Sequence, residues 1–250
     1  MKKTATLFFI IVLLAAGCDD YPSREDIPII IEDAVADYDG NHYDAVHIGN
    51  KVWMAENLRT THYADGKEIP AGNDAISDSI PYRYAPDDNE NNVEKCGYLY
   101  NSPAVMDGKP ASNADPSGVQ GICPDGWHVP SIQEWRYLKS ALSYRSIYIG
   151  EGGEYDDIAK SMASTEGWET STAGPGYDQL HNNTSRFNAR PTGYRNAGGF
   201  CYYGVKTRFC SSSFNSSALR YAVLIDNDKT KLMESTAPNE NGYSVRCVKD

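Results

Sequence analysis

Cysteine and histidine are the residue types in this sequence best suited to metal or covalent chemistry, and their spacing shows whether they could form a metal site. No two of them stand at a metal-ligand spacing such as C-x-x-C or H-x-x-H, and the histidines are scattered. The histidines are His42, His47, His62, His128 and His181. The sequence also lacks G-x-S-x-G, P-loop and Rossmann glycine patterns. We therefore expect no metal site and no cofactor, and we expect His128 to be a hydrogen-bonded core residue.

Two cysteines are placed where a disulfide is expected. Cys201 and Cys210 lie on either side of Gly204, where the sequence predicts a hairpin, so the two thiols are expected to face each other. Cys96 is expected to be a buried free thiol, because a free cysteine behaves as a small apolar residue. Several cysteines do not fix their own connectivity, so other pairings remain open.

The segment before Cys18 has the features of a bacterial export signal. Lys2 and Lys3 precede an apolar run from Leu7 to Ala16, which is too short for a membrane span of about 20 residues. The run ends in Leu-Ala-Ala-Gly-Cys, which resembles a lipobox. We therefore expect residues 1–17 to be a signal peptide and Cys18 to carry the lipid anchor. A plain signal peptide with an incidental thiol at Cys18 is the alternative.

The residues after Cys18 predict where the anchored protein resides. Asp19 and Asp20 resemble the export signal of surface lipoproteins in some Gram-negative bacteria, so we expect an outer-membrane lipoprotein at the cell surface. A periplasm-facing location and a merely solvated spacer remain open. Residues 18–36 contain two prolines among charged residues and are predicted to form a tether. The net charge of −11 excludes non-specific binding to nucleic acid.

Residues 37–250 are predicted to form one α+β domain. Tyr43–Ile48 and Lys51–Met54 are joined by Gly49-Asn50, as in a hairpin. One helix is predicted from Ser131, where Ser131 and Glu134 form a capping box. A second, weaker helix is predicted over Asp156–Ser164. The remaining residues of this domain are predicted to form short twisted antiparallel strands and long loops. Further strands are expected at Gly97–Tyr100, Phe200–Tyr203, Thr207–Cys210, Leu219–Ile225, Lys231–Glu234 and Tyr243–Val248.

Four stretches in order carry a family resemblance. They are HIGNKVWMAENL from His47, GYLYN from Gly97, CPDGWHVPS from Cys123 and NGYSVRC from Asn241. Together they resemble the Fibrobacter succinogenes major paralogous domain, often shortened to FISUMP. That family is similar in turn to C-type-lectin-like folds and to the sulfatase-modifying-factor branch. The resemblance implies a C-type-lectin-like domain over residues 37–250 and a disulfide between Cys123 and Cys247.

The resemblance implies that the protein is secreted or lipid-anchored, but it implies no particular reaction. The tighter cysteine pair of the sulfatase-modifying type is not matched by Cys201 and Cys210, so we expect no enzyme activity. Calcium-dependent lectins use oxygen-bearing turns, and Asp226-Asn227-Asp228 and Pro238-Asn239-Glu240-Asn241 have such residue types. Their order is reversed, and such clusters often form ordinary turns. The sequence leaves open whether calcium binds near Asp226–Asp228 or Asn239–Asn241.

Tyrosine and arginine cluster in the loop-rich second half, where a ligand surface is expected. Such side chains suit sugar stacking or protein contacts at a small ordering cost. The candidate ligand-binding residues are Tyr194, Arg195, Tyr202, Tyr203 and Arg208. The leading hypothesis is a lipid-anchored cell-envelope protein with a non-catalytic binding or adhesion domain for a glycan or a surface protein. The alternatives are a structural or accessory component of a surface assembly and, less favoured, an enzyme on a sulfatase-modifying-factor-like scaffold.

Overall fold

The computed structural model describes residues 28–149 and 153–250. The predicted signal peptide, the lipidation site Cys18 and most of the predicted tether lie outside the described residues. Among the helices of the described part, none combines the length and the apolar composition that a membrane crossing requires.

The domain contains two five-stranded sheets and a small two-stranded ribbon. In chain order the strands are β1 (Ile30–Ala36), β2 (His42–Ile48), β3 (Lys51–Met54), β4 (Arg83–Tyr84), β5 (Leu99–Tyr100), β6 (Trp127–His128), β7 (Thr192–Asn196), β8 (Gly199–Tyr203), β9 (Lys206–Phe214), β10 (Leu219–Asp226), β11 (Met233–Pro238) and β12 (Val248–Lys249). The helices are α1 (Val93–Cys96), α2 (Ser102–Met106), α3 (Ile132–Ser143), α4 (Ser146–Ile149) and α5 (Ala159–Met162). Most residues lie in short strands and loops, which confirms the α+β prediction.

The first sheet has the order β1-β2-β3-β12-β6. The predicted hairpin is present, because β2 and β3 pair antiparallel around Gly49-Asn50. Gly49 has a φ of 64° and lies against the Tyr137 ring, so the turn needs glycine both for its backbone and for space. The tether predicted over residues 18–36 is too long, because residues 30–36 form β1, which pairs with β2. The folded part therefore begins earlier than residue 37.

The second sheet has the order β11-β10-β9-β7-β8. Strands β8 and β9 follow each other in sequence, yet β7 lies between them, antiparallel to β8 and parallel to β9. Cys201 on β8 therefore pairs with Tyr194, whereas Cys210 on β9 pairs with Ala222 of β10. The predicted Cys201–Cys210 disulfide is wrong, since both residues are free thiols on strands that are not neighbours.

Helix α3 begins as its sequence predicts. The Ser131 side chain accepts from the Glu134 backbone N–H, and the Glu134 carboxylate accepts from the Ser131 backbone N–H, which completes the capping box. The apolar stripe of α3 is buried and packs Trp135 on Trp53, with ring centroids 4.7 Å apart. Truncating an aromatic residue in such a contact removes a large buried area. The helix thus fixes one wall of the core.

The second predicted helix is reduced to the single turn of α5. Asp156 has a φ of 78°, which a right-handed helix does not allow, and Ala163 is already extended. The prediction over Asp156–Ser164 was therefore too long at both ends. The short helices α1, α2 and α4 were not predicted, because each is too short to show a helical period.

The last residues connect the two sheets. Tyr243 bridges to Tyr100 of the ribbon, and Ser244 bridges to Phe209 of the second sheet. Cys247 then accepts from the Met54 backbone N–H of the first sheet. The predicted strand Tyr243–Val248 is therefore mostly a run of single bridges, and only its end forms β12.

A disulfide joins Cys123 to Cys247, as the family resemblance implied. Cys123 precedes β6 and α3, so the disulfide ties the segment before the main helix to the end of the chain. It closes a loop with a sequence separation of 124. On the chain-entropy model, closing a loop of that length stabilises the fold by roughly 4–5 kcal/mol.

Candidate functional site

Three of the predicted ligand residues, Tyr194, Tyr202 and Arg208, lie close together beside β7 and β8. The Tyr194 and Tyr202 rings stack with centroids 5.5 Å apart. The Arg208 guanidinium lies 4.8 Å from the Tyr194 ring centroid, and Lys206 Nζ lies 5.0 Å from that of Tyr202. Such cation–π contacts fix the rings in place. Burial raises the pKa of Tyr194 to about 12, so its hydroxyl stays protonated and can donate a hydrogen bond.

The other two predicted ligand residues are Tyr203, whose ring centroid lies 6.4 Å from that of Phe200 on β8, and Arg195. Tyr203 is partly exposed, and its hydroxyl lies 3.8 Å from the Cys96 thiol. Arg195 is buried and forms ion pairs with Asp88 at 2.6 Å and Asp74 at 3.2 Å. The structure therefore places Arg195 inside the domain, where it holds the loops that carry the two aspartates.

The two turns considered for calcium are engaged in protein contacts. Asp226 pairs with Lys206 at 2.7 Å, and Asp228 pairs with Lys229 at 3.2 Å. The Asn239 amide donates to the Ser217 carbonyl, and the Asn241 amide donates to the Tyr243 hydroxyl, both at 2.8 Å. Within the described ranges, no group of three or more histidine, cysteine or carboxylate side chains is arranged to hold a metal ion.

A cluster of charges lies under the start of α3, and its two central residues, His128 and Glu134, are closed to solvent. Glu134 accepts from His128 Nε2 at 2.8 Å and from Lys51 at 3.1 Å. His128 donates from its other nitrogen to Asp250 at 2.6 Å. The Ser117 backbone N–H also donates to Glu134. His128 and Glu134 are both fully buried, so they cannot touch a substrate, and they hold α3, β6 and the C-terminus together.

This cluster gives stability a defined dependence on pH. Burial lowers the pKa of His128, but hydrogen bonds and charges from Glu134 and Asp250 outweigh burial and hold it above the ordinary 6.5. Burial raises the pKa of Glu134, but His128, the Ser131 backbone N–H and Lys51 outweigh burial and hold it below the ordinary 4.5. The histidine contribution is therefore complete below pH 6.5 and is lost as pH rises through the folded pKa. The glutamate contribution is complete above pH 4.5 and is lost as pH falls through the folded pKa.

We therefore expect both contributions of this pair to be complete between about pH 4.5 and 6.5. Urea unfolding measured across pH 3–9 tests this expectation. In His128→Asn the decline that begins above pH 6.5 is reduced, because the titrating group is gone. An alkaline decline that is equally steep in His128→Asn contradicts the assignment to His128.

Two of the motifs that carry the family resemblance are in direct contact through Arg246. Arg246 of NGYSVRC donates from Nε to Asn57 Oδ1 of WMAENL at 2.6 Å. Its other nitrogens donate to the backbone carbonyls of Met54, Phe187 and Asn188. The guanidinium also lies 4.4 Å from the Phe187 ring centroid. Burial lowers the pKa of Arg246 to about 9, so it stays charged at neutral pH. This contact makes the two motifs one structural unit.

A cleft that no sequence motif predicts lies between α2, the end of β9 and the residue after β11. Its walls include Tyr63, Ser102, Phe214 and Asn239, and its volume is about 440 Å³. These residues come from four distant segments and follow no common motif, so nothing in the sequence marks them as neighbours.

The comparisons with known proteins identify the family. Residues 46–249 match the Fibrobacter succinogenes major domain, and this range includes all four motifs and both cysteines of the disulfide. Neither the comparison with curated proteins nor the comparison with solved structures found a match. Since the matched range spans most of the chain, the protein belongs to the Fibrobacter succinogenes major domain family.

Proposed function

We propose that this protein is a lipoprotein of the bacterial cell envelope whose domain binds a glycan without transforming it. The lipobox ending at Cys18 and the apolar run before it support the signal peptide and the anchor. Asp19 and Asp20 support an outer-membrane location facing the cell surface. A lipidated cysteine followed by a short charged segment holds the folded domain close to the membrane.

We further propose that the domain has a C-type-lectin-like arrangement. The disulfide from Cys123 to Cys247 supports it, because it connects the segment before the main helix with the end of the chain. The antiparallel hairpin of β2 and β3 beside β12 supports it as well. This proposal concerns the path of the chain and does not by itself assign a ligand.

The backbone of Tyr202 is the observation that carries the binding proposal. Tyr202 has a φ of 64°, a left-handed conformation that bulky residues rarely adopt. Its side chain nevertheless stays 49% exposed, so burial does not account for the strained backbone. Strained positions of this kind concentrate at functional sites. Tyr202 lies on β8, the edge strand of the second sheet, where a partner has access.

The composition of this surface favours a glycan. Tyr202 and Tyr203 each present aromatic carbon together with a hydroxyl group. Lys206 lies against the Tyr202 ring, and Arg208 lies against the Tyr194 ring that stacks on Tyr202. Rigid aromatic residues with polar ends lose little entropy on binding. We expect no catalytic role for His128 and Glu134, because both are closed to solvent.

One experiment tests the anchor and the surface together. A glycan array probed with the full chain in detergent selects a glycan, which is then labelled and added to intact cells that produce the chain. We expect wild-type cells to retain the glycan and Cys18→Ser cells to release the binding activity into the soluble fraction. Tyr202→Ala is expected to weaken binding about tenfold, which corresponds to about 1.4 kcal/mol. Its free energy of unfolding should change by no more than about 1 kcal/mol.

Tyr177→Ala is the matched control. Tyr177 is 57% exposed and has Lys160 Nζ at 5.6 Å from its ring centroid, so it resembles Tyr202 in exposure and in cation contact. It lies outside the proposed surface, and its replacement should leave glycan binding unchanged. Equal weakening in both variants contradicts a specific site at Tyr202. Cell-associated protein in Cys18→Ser contradicts the anchor.

A second candidate function, a component of a surface assembly, is favoured by strand β1. It is the edge strand of the first sheet, and Ile29 and Ile30 next to its start are exposed. An exposed strand edge can accept a strand from another protein. An array without bound glycan, together with envelope proteins that co-purify with the full chain, favours this function over the first.

A further inference from the structure

The cleft beside α2 has the size and position of a small-molecule site. Its volume of about 440 Å³ falls in the range of about 300–1,000 Å³ that is typical of such sites. Loops around Tyr63 and Lys67 form one side, and α2 forms another through Ser102 and Met106. Phe214, at the end of β9, contributes an aromatic ring.

Three residues that line the cleft each carry a buried polar atom with no hydrogen-bond partner in the described part of the chain. These atoms are Tyr63 Oη, Ser102 Oγ and Asn239 Oδ1. Their residues are only 2%, 3% and 5% exposed, respectively. Buried polar atoms almost always form hydrogen bonds, and an unsatisfied atom destabilises the fold. All three residues line one cleft, so small side-chain rotations would bring these atoms to a molecule bound there, which then supplies their partners.

The surrounding contacts fix how these atoms are presented. The Asn239 amide nitrogen donates to the Ser217 carbonyl at 2.8 Å, so Oδ1 is left as an acceptor. The Asn239 carbonyl accepts from the Ser102 backbone N–H, also at 2.8 Å, which joins two walls of the cleft. Burial raises the pKa of Tyr63 above its ordinary 10, so its hydroxyl stays protonated and can both donate and accept.

The charges of the cleft balance. Lys67 and Lys109 line it together with Asp78 and Asp107, and Lys67 pairs with Asp107 at 3.3 Å. An anionic or cationic ligand gains no net attraction from such a rim. The remaining lining offers hydroxyl groups, an amide oxygen and the apolar surfaces of Phe214 and Met106.

We propose that this cleft binds a neutral saccharide unit, whose hydroxyl groups satisfy Tyr63, Ser102 and Asn239 and whose apolar ring face packs on Phe214. A sugar ring matches this lining because it carries hydroxyl groups around its edge and C–H groups on its faces. Asn239 accepts from a sugar hydroxyl, while the two side-chain hydroxyls donate or accept. The cleft shares no lining residue with the Tyr202 surface, and it rests on the proposed function only in that the ligand is a carbohydrate.

The test removes side-chain hydroxyls whose hydrogen-bond partners the sugar is proposed to supply. Titration calorimetry of the full chain in detergent uses glucose, galactose, mannose, N-acetylglucosamine and their neutral disaccharides as probes. We expect one or more probes to bind saturably. Tyr63→Phe and Ser102→Ala should each weaken that binding between about threefold and tenfold, as expected for one lost hydrogen bond. Because the removed hydroxyls have no hydrogen-bond partner among the residues that the structure describes, neither variant should have a lower thermal unfolding midpoint without sugar.

Tyr43→Phe is the matched control for Tyr63→Phe. The Tyr43 hydroxyl donates to Asp37 at 2.6 Å and accepts from the Arg59 backbone N–H at 2.9 Å. Its removal should lower the unfolding midpoint and leave sugar affinity unchanged, which is the opposite pattern.

Three outcomes overturn the proposal. They are no binding at millimolar sugar, binding of acidic sugars such as glucuronate alone, and neutral sugar binding that both cleft variants leave intact. Tyr202→Ala, titrated in parallel, separates the two sites. Binding that falls with Tyr202→Ala but not with Tyr63→Phe supports the surface and rejects the cleft. The reverse pattern supports the cleft and rejects the surface as the glycan site.

Discussion

Replacing Glu134 with alanine is expected to lower the free energy of unfolding by about 3–5 kcal/mol, the range for breaking a buried ion pair. Glu134 is fully buried and accepts from two backbone N–H groups, those of Ser131 and Ser117. It also accepts from His128 and Lys51. The variant leaves two buried N–H groups without acceptors and removes the carboxylate that faces the imidazole. Urea unfolding at pH 6 measures the loss.

Glu234→Ala is the control for this prediction. Glu234 also pairs with a residue of α3, accepting from Arg136 at 2.8 Å, but that pair lies at the surface. Exposed ion pairs contribute between about 0 and 1 kcal/mol. The two variants thus remove the same type of side chain, from a buried position on α3 in one case and from a surface position on β11 in the other. A loss of less than about 1 kcal/mol in Glu134→Ala contradicts the role assigned to the buried cluster.

The sequence predicts the residues of this cluster only in part. Ser131 and Glu134 form a capping box, which is local and can be read from residue types at a fixed spacing. The partners of Glu134 cannot be read in this way, because Lys51 is 83 residues away and reaches it only through the sheet. His128 was expected to be a hydrogen-bonded core residue, but its carboxylate partners were not foreseen. Local signals therefore predicted the start of the helix and not the charges beneath it.

In the second sheet, too, local signals predict where the strands lie but not how they pair. Strands β8 and β9 were each close to their predicted positions, since strand composition is a local property. Their pairing was predicted as a hairpin because they are adjacent in sequence. The structure inserts β7 between them, which separates Cys201 from Cys210. Strand order depends on contacts between distant segments, and no turn signal at Gly204 reports it.

The candidate ligand residues show how far residue type alone can predict a binding site. Tyr194, Tyr202 and Arg208 were selected by residue type, and the structure brings them into one stack. Arg195 has the same type as Arg208, yet it is buried in ion pairs. The cleft at Tyr63, Ser102 and Asn239 was not foreseen, because its defining property is the absence of hydrogen-bond partners. Such a property exists only in the folded chain.

Two arginines of the core differ in their hydrogen bonds, and this difference decides their effect on the free energy of unfolding. Arg220 and Arg246 are both fully buried. Arg246 donates to Asn57 and to three backbone carbonyls. Arg220, on β10 between Phe214 and Ala237, has no hydrogen-bond partner among residues 28–149 and 153–250 for any of its three guanidinium nitrogens. A buried charge without partners destabilises the folded state, because it loses its hydration and gains nothing in return.

Arg220→Met is therefore expected to raise the free energy of unfolding by about 1–3 kcal/mol, the penalty of an unsatisfied buried group. Methionine keeps much of the side-chain length, and its flexibility lets it fill the space beside Cys210 and Tyr243. Arg246→Met is expected to do the opposite and to lower stability by about 1–3 kcal/mol, because it leaves buried carbonyls without donors. Guanidinium unfolding of both variants gives the two signs directly. A loss in Arg220→Met as large as that in Arg246→Met contradicts the prediction, because it shows that Arg220 has a bound partner such as an internal water or an anion.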